Sequence, residues 1–60
     1  MLARLVAELP ERYRAPVVLR HIEALSYEDA AAVLKQPIGT TKANVHRGLA
    51  LLRRALEERS

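Results

Sequence analysis

Ser26-Tyr27-Glu28-Asp29-Ala30-Ala31-Ala32-Val33-Leu34-Lys35-Gln36-Pro37-Ile38-Gly39-Thr40-Thr41-Lys42 is the stretch whose reading decides the fold. Ser26 with an acidic residue three positions on is a capping arrangement, and Glu28 and Asp29 place negative charge where the helix dipole favours it. A helix therefore starts at Ser26 and runs through three alanines, whose small side chains permit close approach of a neighbouring helix. Lys35-Gln36-Pro37-Ile38-Gly39 interrupts it, and Thr40 or Thr41 is placed to cap a further helix. That last helix is the longest in the chain. Its Val45, Leu49, Leu52 and Leu56 recur at steps of four, three and four, a stripe that faces a core. With Val45 at 0°, Ala50 lies at about 140°, Ala43 at about 160°, Arg54 at about 180° and Arg47 at about 200°, all opposite the stripe.

Upstream, Leu2, Leu5, Val6 and Leu9 recur at three- and four-residue steps, which predicts a helix of about two turns ended by Pro10. Glu11 to Glu23 reads as a further helix whose apolar surface comes from Tyr13, Val17, Val18, Leu19 and Ile22. Proline is tolerated best in a first turn, so Pro16 predicts a regular helix mainly from residue 16, with 11–15 a looser lead-in. No segment has strand periodicity and none repeats. The expected fold is an all-α four-helix domain without a sheet, of the winged-helix-like or homeodomain-like DNA-binding class. One domain spans 1–60, with a helix-turn-helix within 26–57.

Composition agrees with this. Sixty residues make one small domain, half of them apolar, with Tyr13 and Tyr27 the only aromatics. The core must then be Leu, Val, Ile and Ala, a composition that favours helices. The absence of Cys excludes a disulfide framework, and His21 with His46 makes no credible metal pair. No cofactor or metal is expected. There is no apolar run of membrane-spanning length and no signal-peptide organisation, so a cytoplasmic protein without a membrane partner is expected. A nucleophile with an adjacent base, paired carboxylates and a phosphate loop are all lacking, so neither an enzyme nor a small-molecule substrate is expected.

Charge is distributed unevenly. Residues 1–30 carry four basic and five acidic side chains, and residues 31–60 carry six and two, so the net +3 is made of −1 and +4. A solvated helix face carries such charges too; here they coincide with the turn and the long helix, the footprint of a module that meets a polyanion. In a helix-turn-helix the second helix enters the major groove and offers its N-terminal residues to base edges. Thr40 and Thr41 offer hydroxyls beside free helix N–H groups, Lys42 reaches a neighbouring phosphate, and the Tyr27 hydroxyl can donate to another. Arg47 suits guanine, whose two acceptors a guanidinium can bond together. Asn44 and His46 flank the same surface, and Ala43 is small enough to admit the DNA backbone or touch a thymine methyl. Arg53, Arg54 and Arg59, with Glu57 and Glu58, read as a solvated C-terminal face; Leu51 lies off the stripe, to pack on helix one or be left for a partner.

Leu9-Pro10-Glu11-Arg12-Tyr13-Arg14, Val18-Leu19-Arg20, Leu25-Ser26-Tyr27-Glu28-Asp29-Ala30-Ala31, Pro37-Ile38-Gly39-Thr40-Thr41-Lys42 and His46-Arg47 together resemble region 4 of bacterial extracytoplasmic-function (ECF) sigma factors. The resemblance covers about Leu2 to Leu56. It implies a nonenzymatic domain that binds double-stranded promoter DNA at the minus-35 element. It also implies docking on the β-subunit flap of the RNA polymerase core, often capture by an anti-sigma factor, and a place in the bacterial nucleoid. Sixty residues leave no room for a promoter-melting domain, so a C-terminal piece of such a factor is expected. The family usually has Gly where Lys35 stands, at a left-handed turn. Where it commonly has Val, Ser, Arg and Arg, this chain has Thr41, Ala43, Asn44 and Leu49, which implies a different element preference and a weaker phosphate contribution. Two alternatives share the layout: a LuxR- or NarL-type response-regulator output domain, which fits the Leu-Pro-Glu-Arg-Tyr-Arg entry less well, and a polymerase or anti-sigma interaction module with little DNA binding of its own.

Overall fold

The computed structural model describes residues 2–59. Its elements are α1 (Leu2–Ala7), α2 (Glu11–Val17) with a π-helical continuation (Val18–Ile22), α3 (Tyr27–Leu34) and α4 (Ile38–Arg59), with no strand among the described residues. Met1, Ser60 and the side chains of Leu2 and Arg59 lie outside that description, and with them the roles expected of Leu2 and Arg59.

Leu5, Val6 and Leu9 are buried with Val17 and Leu52, and Val18, Leu49 and Ala55 pack against them. Each large side chain so buried contributes about 1.5–3 kcal/mol relative to exposure. The alanine-rich face of α3 buries Ala30 and Ala31, and α4 answers with Thr41 and Val45. α4 packs against α2 more than against any other element, and against α3 next. α4 passes close to α2 at Gly48, where a Cβ would stand 2.5 Å from Val17 Cγ2 and 3.4 Å from Tyr13 Cβ and from its carbonyl oxygen. Only glycine fits there.

The order within the second helix is the reverse of that expected. Residues 11–17 are regular α-helix, because the Pro10 carbonyl accepts from the N–H groups of both Tyr13 and Arg14 at 2.9 Å and holds the first turn. The irregularity falls after Pro16 instead. Proline has no N–H to give the preceding turn, and beyond it the Val18 N–H points at both Arg14 and Ala15 carbonyls. Glu23 N–H then reaches the Val18 carbonyl at 2.9 Å, five residues back, and Leu25 N–H reaches Leu19 at 3.0 Å. The chain leaves this widened turn through Ala24, whose φ is 61°.

Ser26 caps α3 as expected, with the Asp29 N–H donating to Ser26 Oγ at 3.0 Å. At its other end Lys35 is left-handed, φ 56° and ψ 45°. The N–H groups of Gln36 and Lys35 donate back to Ala31 and Ala32, the paired bonds of a Schellman turn. α4 begins earlier than the threonines suggest. Its first bond runs from the Thr41 N–H to the Pro37 carbonyl at 3.0 Å, so Gly39, Thr40 and Thr41 lie inside the first turn and cap nothing. Proline suits this position because it leaves one N–H fewer to satisfy at the helix end.

Leu56, expected in the core, is 40% exposed. The 22 residues of α4 span about 33 Å, nearly the whole 35 Å length of the molecule, so the last turns run beyond the helices that cover the rest of the stripe. Leu51 is 37% exposed, left uncovered by α1.

Exchange of Lys35 for Gly tests the left-handed turn. A side chain there costs about 1 kcal/mol, only partly offset by the greater freedom of glycine in the unfolded chain, so Lys35→Gly is expected to raise the melting temperature. A lowered Tm in thermal unfolding would contradict that backbone conformation.

Candidate nucleic-acid interface

The Ser26 cap fixes Tyr27 as the first residue of α3, and its half-buried ring becomes a meeting point for three elements. From the π-helical stretch, Arg20 Cζ lies 4.9 Å from the ring centroid. From α4, Lys42 Nζ lies 5.9 Å away and the His46 ring meets Tyr27 edge-on, centroids 6.4 Å apart at 86°. Two cations over one ring are each held by its electron-rich face, an attraction of about 0.5–1 kcal/mol at an exposed site. Arg20 Nε is buried and makes no hydrogen bond. A buried unsatisfied donor beside a second cation and a phenol marks a place where an anion would be stabilised.

Lys42 and His46 are exposed, as are Thr40, Ala43 and Arg47, while Asn44 is half-buried. Lys42 and His46 join the Tyr27 cluster on the α3 side of α4. Arg47 does not. It lies on the α2 side, in a shallow groove with Tyr13, Ala50, Leu51 and Arg54. The exposed ridge between the two flanks carries Gly39, Ala43 and Ala50, so its N-terminal half is smooth.

Thr41 is misplaced by the sequence reading. It is fully buried, and its hydroxyl donates to the Pro37 carbonyl at 3.1 Å with Gln36 Oε1 at 3.4 Å. Standing four residues before Val45, it belongs to the core stripe, which leaves no hydroxyl for DNA. Its occupancy of a position where the ECF pattern has Val is then understandable: the two side chains have the same shape, and the backbone satisfies the extra oxygen. Leu49 likewise faces the core rather than solvent.

Arg20 is the residue that periodicity missed. It stands in a segment read only for its apolar positions, seven residues and a loop before Tyr27. The block Val18-Leu19-Arg20 was its one signal.

Among known families, residues 1–52 match the model described as Sigma-70, region 4. The chain belongs to the sigma-70 region 4 family. This region 4 is 38% identical over 53 residues to the ECF RNA polymerase sigma factor SigW of Bacillus subtilis, covering 88% of the chain and 28% of the relative. It is 44% identical over 59 residues to an RNA polymerase sigma-E factor of Streptomyces avermitilis, covering 98% and 33%. With the sigma-E factor of Streptomyces antibioticus it shares 49% over 51 residues, covering 85% and 28%. The chain thus spans a third or less of each of these three relatives. It is a sigma-factor DNA-binding region of ECF type, which decides against the response-regulator alternative.

Replacing the buried threonine separates packing from contact. Thr41→Val is expected to change stability by no more than about 1 kcal/mol and to leave duplex affinity unaltered. A tenfold or greater rise in Kd for DNA, about 1.4 kcal/mol, would return Thr41 to the interface.

Proposed function

We propose that this region 4 lays α4 in the major groove of the minus-35 promoter element and thereby positions RNA polymerase for initiation. The single observation that carries the reading is the convergence of Arg20, Lys42 and His46 on Tyr27. Three elements brought together around one phenol make a phosphate clamp at the groove edge, just beside the N-terminal half of α4. With the clamp on one strand, the smooth ridge of Gly39 and Ala43 faces the groove floor and Arg47 is presented to base edges on the opposite flank. Thr40 and Asn44 border that flank. The +4 charge of residues 31–60 supplies the sequence-independent attraction.

The remaining parts of the reading are supported by the ECF kinship. They are docking on the β flap of the polymerase core, regulation by an anti-sigma factor, and a bacterial, cytoplasmic place at the nucleoid. Binding and positioning, without catalysis, account for the whole role. A net charge of +3 is modest for a DNA-binding protein, so the assembled polymerase is expected to contribute part of the affinity.

Selection from a randomised duplex pool, run beside a pull-down with the polymerase flap, tests the proposal. Arg47→Ala is expected to relax base preference at one step and cost about 1–3 kcal/mol; an unchanged selected sequence would remove Arg47 from base reading. Lys42→Ala is expected to weaken all duplexes alike and to lower the slope of log K against log salt by about 0.9. A slope equal to the parent's would refute the phosphate contact.

A further inference from the structure

One member of the cluster around Tyr27 differs in kind from the others. Arginine and lysine keep their charge throughout the physiological range, whereas histidine is the side chain whose ordinary charge change falls between about pH 5 and 8. His46 is exposed and meets Tyr27 edge-on, ring centroids 6.4 Å apart. The same phenol ring holds Arg20 Cζ at 4.9 Å and Lys42 Nζ at 5.9 Å from its centroid. Lys42 stands one turn before His46 on α4, and Arg53 stands two turns beyond it on the same flank. The π-helical stretch brings Arg20, with His21 and Glu23 exposed beside it; α3 brings Tyr27, with Glu28 and Asp29 exposed after it. Both groups that join His46 at the ring are therefore cations, and the acids of the two neighbouring elements point to solvent.

In the free chain a proton on His46 adds a third positive charge beside two others, and like charges one helical turn apart oppose one another. A phosphate reverses that balance. It neutralises the cations it meets, and it bonds to an imidazolium, which has two N–H donors, better than to a neutral imidazole, which has one donor and one acceptor. Protonation and phosphate binding therefore favour each other, and such coupling is reciprocal. We infer that duplex binding by this region 4 takes up a proton at His46, so that its hold on DNA strengthens as pH falls from about 8 to about 6 and loosens as pH rises. The inference rests on the phosphate clamp proposed above and gives it a graded member: Arg20 and Lys42 supply the constant attraction, and His46 the part that acidity controls.

Binding of the whole chain to one mixed-sequence duplex at low salt tests this, because a phosphate contact requires no particular element. The slope of log K against log salt is measured at about pH 8 and about pH 6 for the parent, His46→Gln and His46→Lys. The parent's slope is expected to steepen at the lower pH by up to about 0.9, the effect of one more phosphate neutralised. His46→Gln is expected to keep the shallow slope at both pH values and His46→Lys the steep one, while His21→Gln responds as the parent does. All of these substitutions fall at exposed positions, and each variant's unfolding curve is recorded at both pH values. Equal slopes for the parent at the two pH values, or a pH response in His46→Gln as large as the parent's, would overturn the inference. Lys42→Ala separates it from the clamp itself. A slope lowered by Lys42→Ala with no pH response in the parent rejects proton uptake alone, whereas a slope that Lys42→Ala leaves unchanged rejects the clamp and the inference with it.

Discussion

At Gly48 the backbone of α4 passes α2 with no space for even a methyl group, and the position of every other side chain on α4 depends on that contact. A glycine in a helix interior costs about 1 kcal/mol relative to alanine. Here the cost is offset by what the close approach buries on either side: Val45 and Thr41 toward α3, Leu52 toward α1 and Val17. With the axis of α4 held in this way, its two flanks acquire different neighbours. One meets Tyr27 and becomes a cluster of cations around a phenol. The other meets Tyr13 and becomes a trough walled by arginines.

Much of this was legible in the chain. The Ser26 cap, the interruption at 35–37 and the stripe through Val45, Leu49 and Leu52 arise from local chemistry, and local chemistry is what a sequence displays, whereas the left-handed residue at Lys35 was expected only from the family's usual glycine there. The failures have a common origin in long-range packing. Thr40 and Thr41 look like caps because they are threonines beside a glycine, yet the carbonyl of Pro37 starts the helix first and turns Thr41 inward. Pro16 looks like a first-turn proline, yet the Pro10 carbonyl had already organised the turn before it, so the disturbance moved on into residues 18–22. Leu56 continues a perfect stripe beyond the point where there is anything left to pack on. Of the cluster around Tyr27, Lys42 and His46 were expected at the exposed start of the last helix, whereas their union with Arg20 depends on three elements meeting.

Departures from the ECF pattern also become easier to interpret. Thr41 and Leu49 belong to the core or its margin, so exchanging the family's usual residues there alters packing before it alters contact with a partner. Asn44 is half-buried, at the border between core and surface. Ala43 is the departure that changes the exposed ridge directly, by leaving it without a hydroxyl.

Gly48 has one more property, which lies in its place along the helix. Ten residues separate it from Ile38 and eleven from Arg59, about 15 Å on either side. This close contact of α4 therefore sits at the middle of the rod. A tilt of about five degrees there would carry the two ends of the rod roughly 1 Å in opposite directions, a displacement comparable to the tolerance of a hydrogen bond. In such a tilt the exposed turns at Leu56 and the turn that carries Lys42 would move together, as opposite ends of one rod.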